Sequence, residues 1–296
     1  MVDIGIVGLD TSHGESFADR ISAHDRATLS AVWDGGSVRG DSFIEVFCEE
    51  YGARQYEDPE AMIGEVDAVM ILTVDWDTHR PLAEPFLEAG VPTLIDKPIA
   101  GTLEDIRALE ASANGTPLFG GSAVPYHPKI RSFERDRSGR ALYCVGYDDP
   151  FYYGPHLVDT VCRIIDEDWS TVSPADDPGR TVDIVFTDGT YVTLRLDSPR
   201  GEKQFSFLSI GNRTTLIEIG NGRAEMDDMY RHYLDAFLET IDGGRANGER
   251  ILNAATLLLG IDAALEYGQP ITPDSPILAE HVVQGDAFLE AYSPYY

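Results

Sequence analysis

Lysine is nearly missing from this sequence. Of the 22 basic residues in the 296-residue chain only Lys97, Lys129 and Lys203 are lysines; the other nineteen are arginines. Positive charge as a whole is scarce. Against 51 acidic residues it leaves a net charge of −29, and the acids run the length of the chain rather than gathering in a tail. Nucleic acid and anionic membrane both require a basic face, so neither is expected as a partner. Distributed acid with few lysines resembles proteins of a salt-filled cytoplasm, the acidic halophilic type, where a screening length of about 3 Å cancels most self-repulsion. Surface carboxylates therefore carry little functional weight here. No apolar run approaches the roughly 20 residues that span a bilayer. Residues 1–8 lack the basic flank and apolar length of a signal peptide and read as a first strand. Cysteine is equally sparse. Cys48, Cys144 and Cys162 are odd in number and show no metal-like spacing, which points to reduced core thiols and a cytoplasmic protein.

What is present is a regular alternation. Strand signals at 2–8, 28–33, 66–73, 93–95 and 117–120 are separated by helix signals at 15–24, 41–51, 58–64, 79–89 and 102–113. This predicts an α/β fold whose residues 1–122 form a Rossmann-type doubly wound parallel sheet. Ligands of such sheets lie beyond the carboxyl ends of the strands. That gathers Gly8 to Gly14, Asp34, Thr73 to His79 and Asp96-Lys97 around one crevice.

Within that crevice Lys97 stands out, because it ends a buried strand between Asp96 and Pro98. Arginine does not release its proton in a protein, whereas a partly buried lysine can shift its pKa and exchange one. Lys97 reads either as a lysine kept to pair with Asp96 or, the reading favoured here, as a proton carrier. Asp34 ends the second strand, where an acid can accept hydrogen bonds from both ribose hydroxyls of NAD and repel the 2′-phosphate of NADP. The first turn, Gly8-Leu9-Asp10-Thr11-Ser12-His13-Gly14, departs from the Gly-x-Gly-x-x-Gly fingerprint. Asp10 takes the place of its second glycine and His13 that of its third. The Thr11 and Ser12 hydroxyls, with the amides of the following helix, could cradle phosphate; alternatively Asp10 simply caps that helix. Asp10, His13, Asp75, Asp77 and His79 have side chains that suit a divalent cation, but their scattered spacing argues against a metal and none is expected.

A turn-rich stretch, 122–128, marks the boundary of a second domain over 123–296. A polar helix at 129–138 leads to a strand at 141–147. Tyr152-Tyr153-Gly154-Pro155-His156-Leu157-Val158-Asp159 then opens a helix running to 165. His156 and Asp159 share a helix face, so Asp159 could orient the imidazole; a histidine merely buried among aromatics is the alternative. A Pro/Asp-rich loop at 173–179 precedes alternating runs at 181–197, 205–210 and 214–219, which predict a mostly antiparallel open sheet within an α+β domain. Helices at 226–241 and 247–267 follow, with Met229, Tyr233, Phe237 and Ile241 as a core stripe. The segment 278–291 reads as a last amphipathic helix, placed to fold back on the first domain.

Together these residues resemble the Gfo/Idh/MocA family of NAD(P)-dependent oxidoreductases. Asp96-Lys97-Pro98 looks like the family's Glu-Lys-Pro. Thr73 with His79, then Glu88-Ala89-Gly90-Val91, looks like its strand-four turn, although Val74 replaces a proline. Gly154-Pro155-His156-Leu157-Val158-Asp159 looks like its Gly-x-His-x-x-Asp stretch. The glycine loop is that of a divergent branch. The resemblance implies hydride transfer between a nicotinamide, NAD in preference to NADP, and a carbinol carbon of a sugar, cyclitol or related polyol. It implies Lys97 as proton carrier and His156 as acid–base partner, with Tyr152 where the family usually has an aspartate. Gly8, Asp10, Thr11, Ser12, His13, Asp34, Thr73, Asp75, His79, Asp96 and Lys97 are then candidate cofactor contacts. Tyr126, His127, Tyr153 and Asp159 are candidate substrate contacts. The family's open sheet face implies a homo-dimer or tetramer, with Phe205 and Phe207 either as contacts there or buried inside the monomer. A non-catalytic sensor of dinucleotide or sugar on the same scaffold is the alternative.

Overall fold

The apolar runs of the first half become six parallel strands in a computed structural model that describes residues 1–133, 141–199 and 203–292. In chain order they are β1 (Val2–Val7), α1 (Ser12–Ser22), β2 (Ala27–Trp33), α2 (Asp41–Tyr51), β3 (Arg54–Gln55), β4 (Ala68–Ile71), α3 (His79–Glu88), β5 (Thr93–Ile95), α4 (Leu103–Ala113) and β6 (Leu118–Gly120). The sheet order is β3-β2-β1-β4-β5-β6. The order in which strands are added therefore reverses between β1 and β4, which stay parallel, and a crevice opens there at the strands' carboxyl ends. Helices cover both faces, which is why β1 and β4 are near-continuous apolar runs with Ile4, Ile6, Val7 and residues 68–71 all buried. Residues 58–64 are not the expected helix but a 3-10 turn, Pro59–Met62, closed off by Gly64 at φ +86°. The exposed polar pair Arg54–Gln55 gave no strand signal at all.

The second half continues with α5 (Pro128–Arg131), β7 (Ala141–Tyr147), α6 (Gly154–Ile165), β8 (Trp169–Pro174), β9 (Thr181–Phe186), β10 (Tyr191–Ser198), β11 (Lys203–Ile210), β12 (Thr214–Gly220), α7 (Arg223–Ile241), α8 (Gly248–Tyr267), α9 (Pro276–Glu280) and α10 (Gly285–Ala291). Its sheet runs β12-β11-β7-β10-β9-β8 and is antiparallel except where β7 meets β10. Helices α6 and α8 cover one face. Of the helix expected at 129–138, α5 occupies the beginning, and 134–138 lie outside the described residues. The start of the loop expected at 173–179 belongs to β8, where Trp169 and Val172 are buried. Phe205 and Phe207 also face the helices and are buried, so they are core; the open face instead exposes Tyr143, Val145 and Leu216. Met229, Tyr233 and Phe237 are buried as expected, and Ile241 is half-buried.

The segment 278–291 is two short helices with an extended strap between them, not one helix. Val282 bridges to Thr102, and the Val283 amide donates to the Gly101 carbonyl at 2.9 Å. The Trp76 indole donates to the Val283 carbonyl at 2.7 Å, and the Asp77 carboxylate accepts from the Gly285 amide at 2.8 Å. Pairing with the first half thus outcompetes helix here. Gly285 is required at this crossing, because a Cβ would stand 2.3 Å from an Asp75 carboxylate oxygen. Among the described residues no helix is long and apolar enough to cross a membrane.

Thr102 begins α4 by accepting from the Asp105 amide at 3.0 Å and donating to the Asp105 carboxylate at 2.6 Å. Thr102→Ala should lower unfolding free energy by about 1 kcal/mol, seen as a lower urea midpoint at unchanged slope.

Candidate active site

Residues from both halves meet at the carboxyl ends of β1, β4 and β5. Lys97 emerges from β5 with its peptide to Pro98 cis, and only 5% of the residue is exposed. Its Nζ lies 3.3 Å from the centroid of the Tyr152 ring, 5.4 Å from that of Tyr153, and 3.4 Å from the Tyr152 carbonyl, to which it donates. Burial depresses its pKa, and the nearby charges of Asp96 and Asp149 only partly offset this, leaving it at about 8. Lys129, by contrast, is exposed and ion-paired with Glu225.

Asp96 is buried, which alone would raise its pKa; the His13 and Lys97 charges override that and hold it at about 2. His13 Nδ1 lies 2.5 Å from the Asp96 carboxylate, and His13 Nε2 lies 3.0 Å from the Tyr230 hydroxyl of α7. The residue in the third glycine's place therefore joins the first turn to β5 and to the second half.

His156 Nδ1 lies 2.7 Å from the Ser122 hydroxyl, which also accepts from the Val124 amide at 3.0 Å. Burial, followed by the charges of Lys97 and His13, pushes the imidazole well below the ordinary histidine range. Ser122, not Asp159, is the hydrogen-bond partner of His156. Asp159 turns inward, accepting from the Ser122 amide at 3.0 Å and from Arg250 Nε at 2.7 Å. One small cavity of about 20 Å³, enough for a water molecule, touches Lys97, Ser122 and Asp159.

The remaining candidates divide. Gly8 has φ +93°, and a Cβ there would stand 2.8 Å from the Thr73 amide nitrogen, so this turn needs glycine. Thr11, rather than Asp10, caps α1, accepting from the His13 amide at 3.1 Å, and Ser12 is exposed at the helix's first position. Asp10 points inward and accepts from the Val74 amide at 2.9 Å; burial raises its pKa from 3.8 to about 6. Asp34 accepts from the amides of Leu9 at 2.6 Å and Gly36 at 2.7 Å. Thr73 Oγ1 lies 2.7 Å from Thr78 Oγ1, and Asp75 caps the turn beside it by accepting from the Asp77 amide. Burial raises the Asp75 pKa.

Three candidates do not reach the crevice. His79 is fully buried, Nδ1 3.1 Å from the Ile99 carbonyl oxygen and Nε2 2.9 Å from that of Thr73, and it braces the turn. Tyr126 packs on Phe119 and Tyr233 and lines a separate cavity of about 660 Å³ with Arg163 and Arg250. His127 caps α5 by accepting from the Lys129 amide. Tyr153, half-buried, does border the site, 5.0 Å from Tyr152 and 6.3 Å from His156 between ring centroids.

Sequence reasoning missed Ser122, Asp149, Tyr230 and Phe288. Asp149 accepts from the amides of Phe151 and Tyr152 at 3.0 and 2.7 Å, which fixes the turn that carries Tyr152. Phe288 of α10 stacks on Tyr152 with centroids 4.4 Å apart. None of the four carries a local signal beyond residue type.

The residues present fit a dinucleotide. Gly8 lets the chain turn at the end of β1, α1 begins at the exposed Ser12, Asp34 stands at the end of β2, and the one carboxylate in the turn is tied inward. Residues 2–118 match the profile of the GFO_IDH_MocA oxidoreductase family, NAD-binding Rossmann fold. The chain is 31% identical over 168 residues to inositol 2-dehydrogenase 2 of Saccharopolyspora erythraea, which covers 54% of this chain and 48% of that protein. It is 33% identical over 132 residues to D-apiose dehydrogenase of Paraburkholderia graminis, covering 43% of this chain and 33% of that one. The matches thus span half or less of these relatives' own length. In fold it is similar to scyllo-inositol dehydrogenase of Lactobacillus casei, solved with NAD(H) and scyllo-inositol: TM-score 0.73 at 16% identity, over 93% of this chain and all of that one.

The raised pKa of Asp10 sets a pH dependence. The folded state binds this proton more tightly than the unfolded chain, so its contribution is full below about pH 4 and is lost as pH rises through about 6. Asp10→Asn keeps an acceptor for Val74 and removes the buried charge. Above pH 6 the variant should be more stable than the parent, by on the order of 2–3 kcal/mol, and the gap should close toward pH 4 in paired denaturant melts. A gap independent of pH would refute this account.

Proposed function

We propose that this chain, whose residues 2–118 match the profile of the NAD-binding Gfo/Idh/MocA oxidoreductases, is a dehydrogenase acting on a carbinol carbon of a cyclitol, sugar or related polyol. The observation that carries this reading is Lys97, a buried amine with a pKa of about 8 at the carboxyl end of a Rossmann strand. A base must take the hydroxyl proton as hydride leaves the same carbon, and a group poised near the working pH does so most effectively. Lys97 in its neutral form is that base, and in its charged form it returns the proton in the reductive direction. Ser122 accepts from Val124 and gives its own proton to His156 Nδ1. The neutral imidazole then carries its proton on Nε2, where it hydrogen-bonds the substrate oxygen. The bound nicotinamide cofactor supplies hydride acceptance or donation.

Asp34, with lone pairs beyond those given to Leu9 and Gly36, meets ribose hydroxyls and disfavours a 2′-phosphate, so NAD is preferred to NADP. Tyr153 forms part of the substrate wall. Tyr152 acts by holding Lys97 rather than by supplying a carboxylate. The relatives named for inositol and apiose dehydrogenation support a polyol substrate. The open sheet face, with Tyr143, Val145, Tyr191 and Leu216 exposed together, supports a homo-oligomer built across it.

Purified protein supplied with NAD and a panel of inositols and aldoses should form reduced nicotinamide. The oxidative kcat/KM should rise with pH to a plateau above about 8, where Lys97 is neutral. Lys97→Met should lose at least about 10²-fold in kcat while still binding NAD in a thermal-shift titration. NAD binding without turnover of any polyol would mark the chain as a sensor instead. Tyr143→Glu combined with Leu216→Glu should reduce the assembly's mass by light scattering; an unchanged mass would reject this face.

A further inference from the structure

Away from the crevice, one cluster has the makings of a metal site. Asp262 and Glu266 lie one turn apart on α8, and His281 reaches them from the strap that joins α9 to α10. One ligand atom from each falls within 4.8 Å of the others. Three atoms each bound about 2.2 Å from one metal ion in a tetrahedral site stand about 3.6 Å apart. The cluster therefore reaches coordination distance if its ligand atoms close by roughly 1 Å. Glu266, whose side chain is 59% exposed, is free to supply that movement.

Two further observations point to a cation. The His281 imidazole is 97% buried, yet its ring nitrogens face only carboxylates, Nε2 at 2.9 Å from Asp262 and Nδ1 at 3.9 Å from Glu266. The second separation is too long for a hydrogen bond. Moreover, neither carboxylate has an arginine or lysine within 4 Å among the described residues, so two acids at i,i+4 repel one another in a chain of net charge −29. A hydrogen bond to His281 relieves one of them at most. A cation bound by all three relieves both.

We propose that Asp262, Glu266 and His281 bind a divalent cation of the zinc class. One imidazole and two carboxylates suit a borderline transition ion better than magnesium or calcium, which take oxygen ligands. Its role is structural. His281 is next to Val282 and Val283, which pair with Thr102 and Gly101, and the same strap delivers Phe288 onto the Tyr152 ring beneath Lys97. The ion ties that strap to α8.

The test uses full-length protein stripped with EDTA, freed of chelator, and titrated with ZnCl2. Retention of about one zinc per chain after gel filtration, with a raised Tm, is the expected result. Glu266→Gln alters an exposed side chain that folding does not need, and should raise the zinc concentration for half-maximal shift by about tenfold. His281→Gln should abolish the shift. Cobalt loading should give visible absorption in the parent that changes in His281→Gln. Magnesium at the same concentration should give no shift that depends on these residues. Equal zinc responses in the parent and Glu266→Gln would place binding elsewhere on the acidic surface. Failure to retain zinc would leave a His281–Asp262 hydrogen bond only. Either result overturns the proposal, and neither bears on whether the crevice oxidises polyols.

Discussion

An ammonium group withdrawn from water is the constraint on which the rest of the site depends. Taking a lysine out of solvent favours its neutral form, and a close carboxylate normally restores the charge. At Lys97 the groups that replace water among the described residues are an aromatic face at 3.3 Å, one carbonyl at 3.4 Å, and carboxylates that make no ion pair with Nζ within 4 Å. A ring face stabilises a desolvated cation by roughly 2 kcal/mol, less than a directly paired carboxylate would in the same place. Tyr152, at the position where the resemblance led to an expected aspartate, therefore does more than leave a role unfilled. It keeps Lys97 underheld, and the proton is left able to move near neutral pH.

That arrangement needs both halves of the chain. Tyr152 comes from the turn before α6 and is clamped from outside by Phe288, which reaches it only because the strap pairs with residues 101–102 and seals over Trp76. On the other side of Lys97, Asp96 is kept ionised by His13, and His13 is in turn oriented by Tyr230. The loop that departs from the glycine fingerprint gains two tethers by doing so. Asp10 fastens it to β4 and His13 fastens it to β5, while the backbone turn at Gly8 is retained.

The doubly wound parallel sheet was legible in the sequence, because strands buried on both faces must be written as apolar runs; its order was not, since Arg54–Gln55 of β3 carries no such run. Long helices such as α7 and α8 announced themselves through their stripes. Two of the failures share one cause, a distant contact. β8 pairs with β9 although it is polar and proline-ended, and the strap 281–284 abandons helical pattern for a ladder with residues nearly two hundred positions away. His156 was singled out by its motif, but Ser122, thirty-four residues earlier, could not be chosen as its partner over the neighbouring Asp159 without coordinates. Helix spacing said those two share a face; it did not say that Arg250 already occupied the carboxylate.

In so acidic a chain, exposed carboxylates say almost nothing, and information lies in what is buried. A buried polar group must find a partner, and where the partner suffices the group is structural. Asp159 between Arg250 and the Ser122 amide is such a case, though it looked functional in the sequence. Lys97 is the contrast. It is as deeply buried, but its surroundings fall short of what a full charge requires, and its pKa records the shortfall. A shortfall at a strand end beside the Gly8 turn is a chemical capacity, because a group that is costly to keep charged gives up its proton readily, and that is the ground of the proton-carrier role proposed for Lys97.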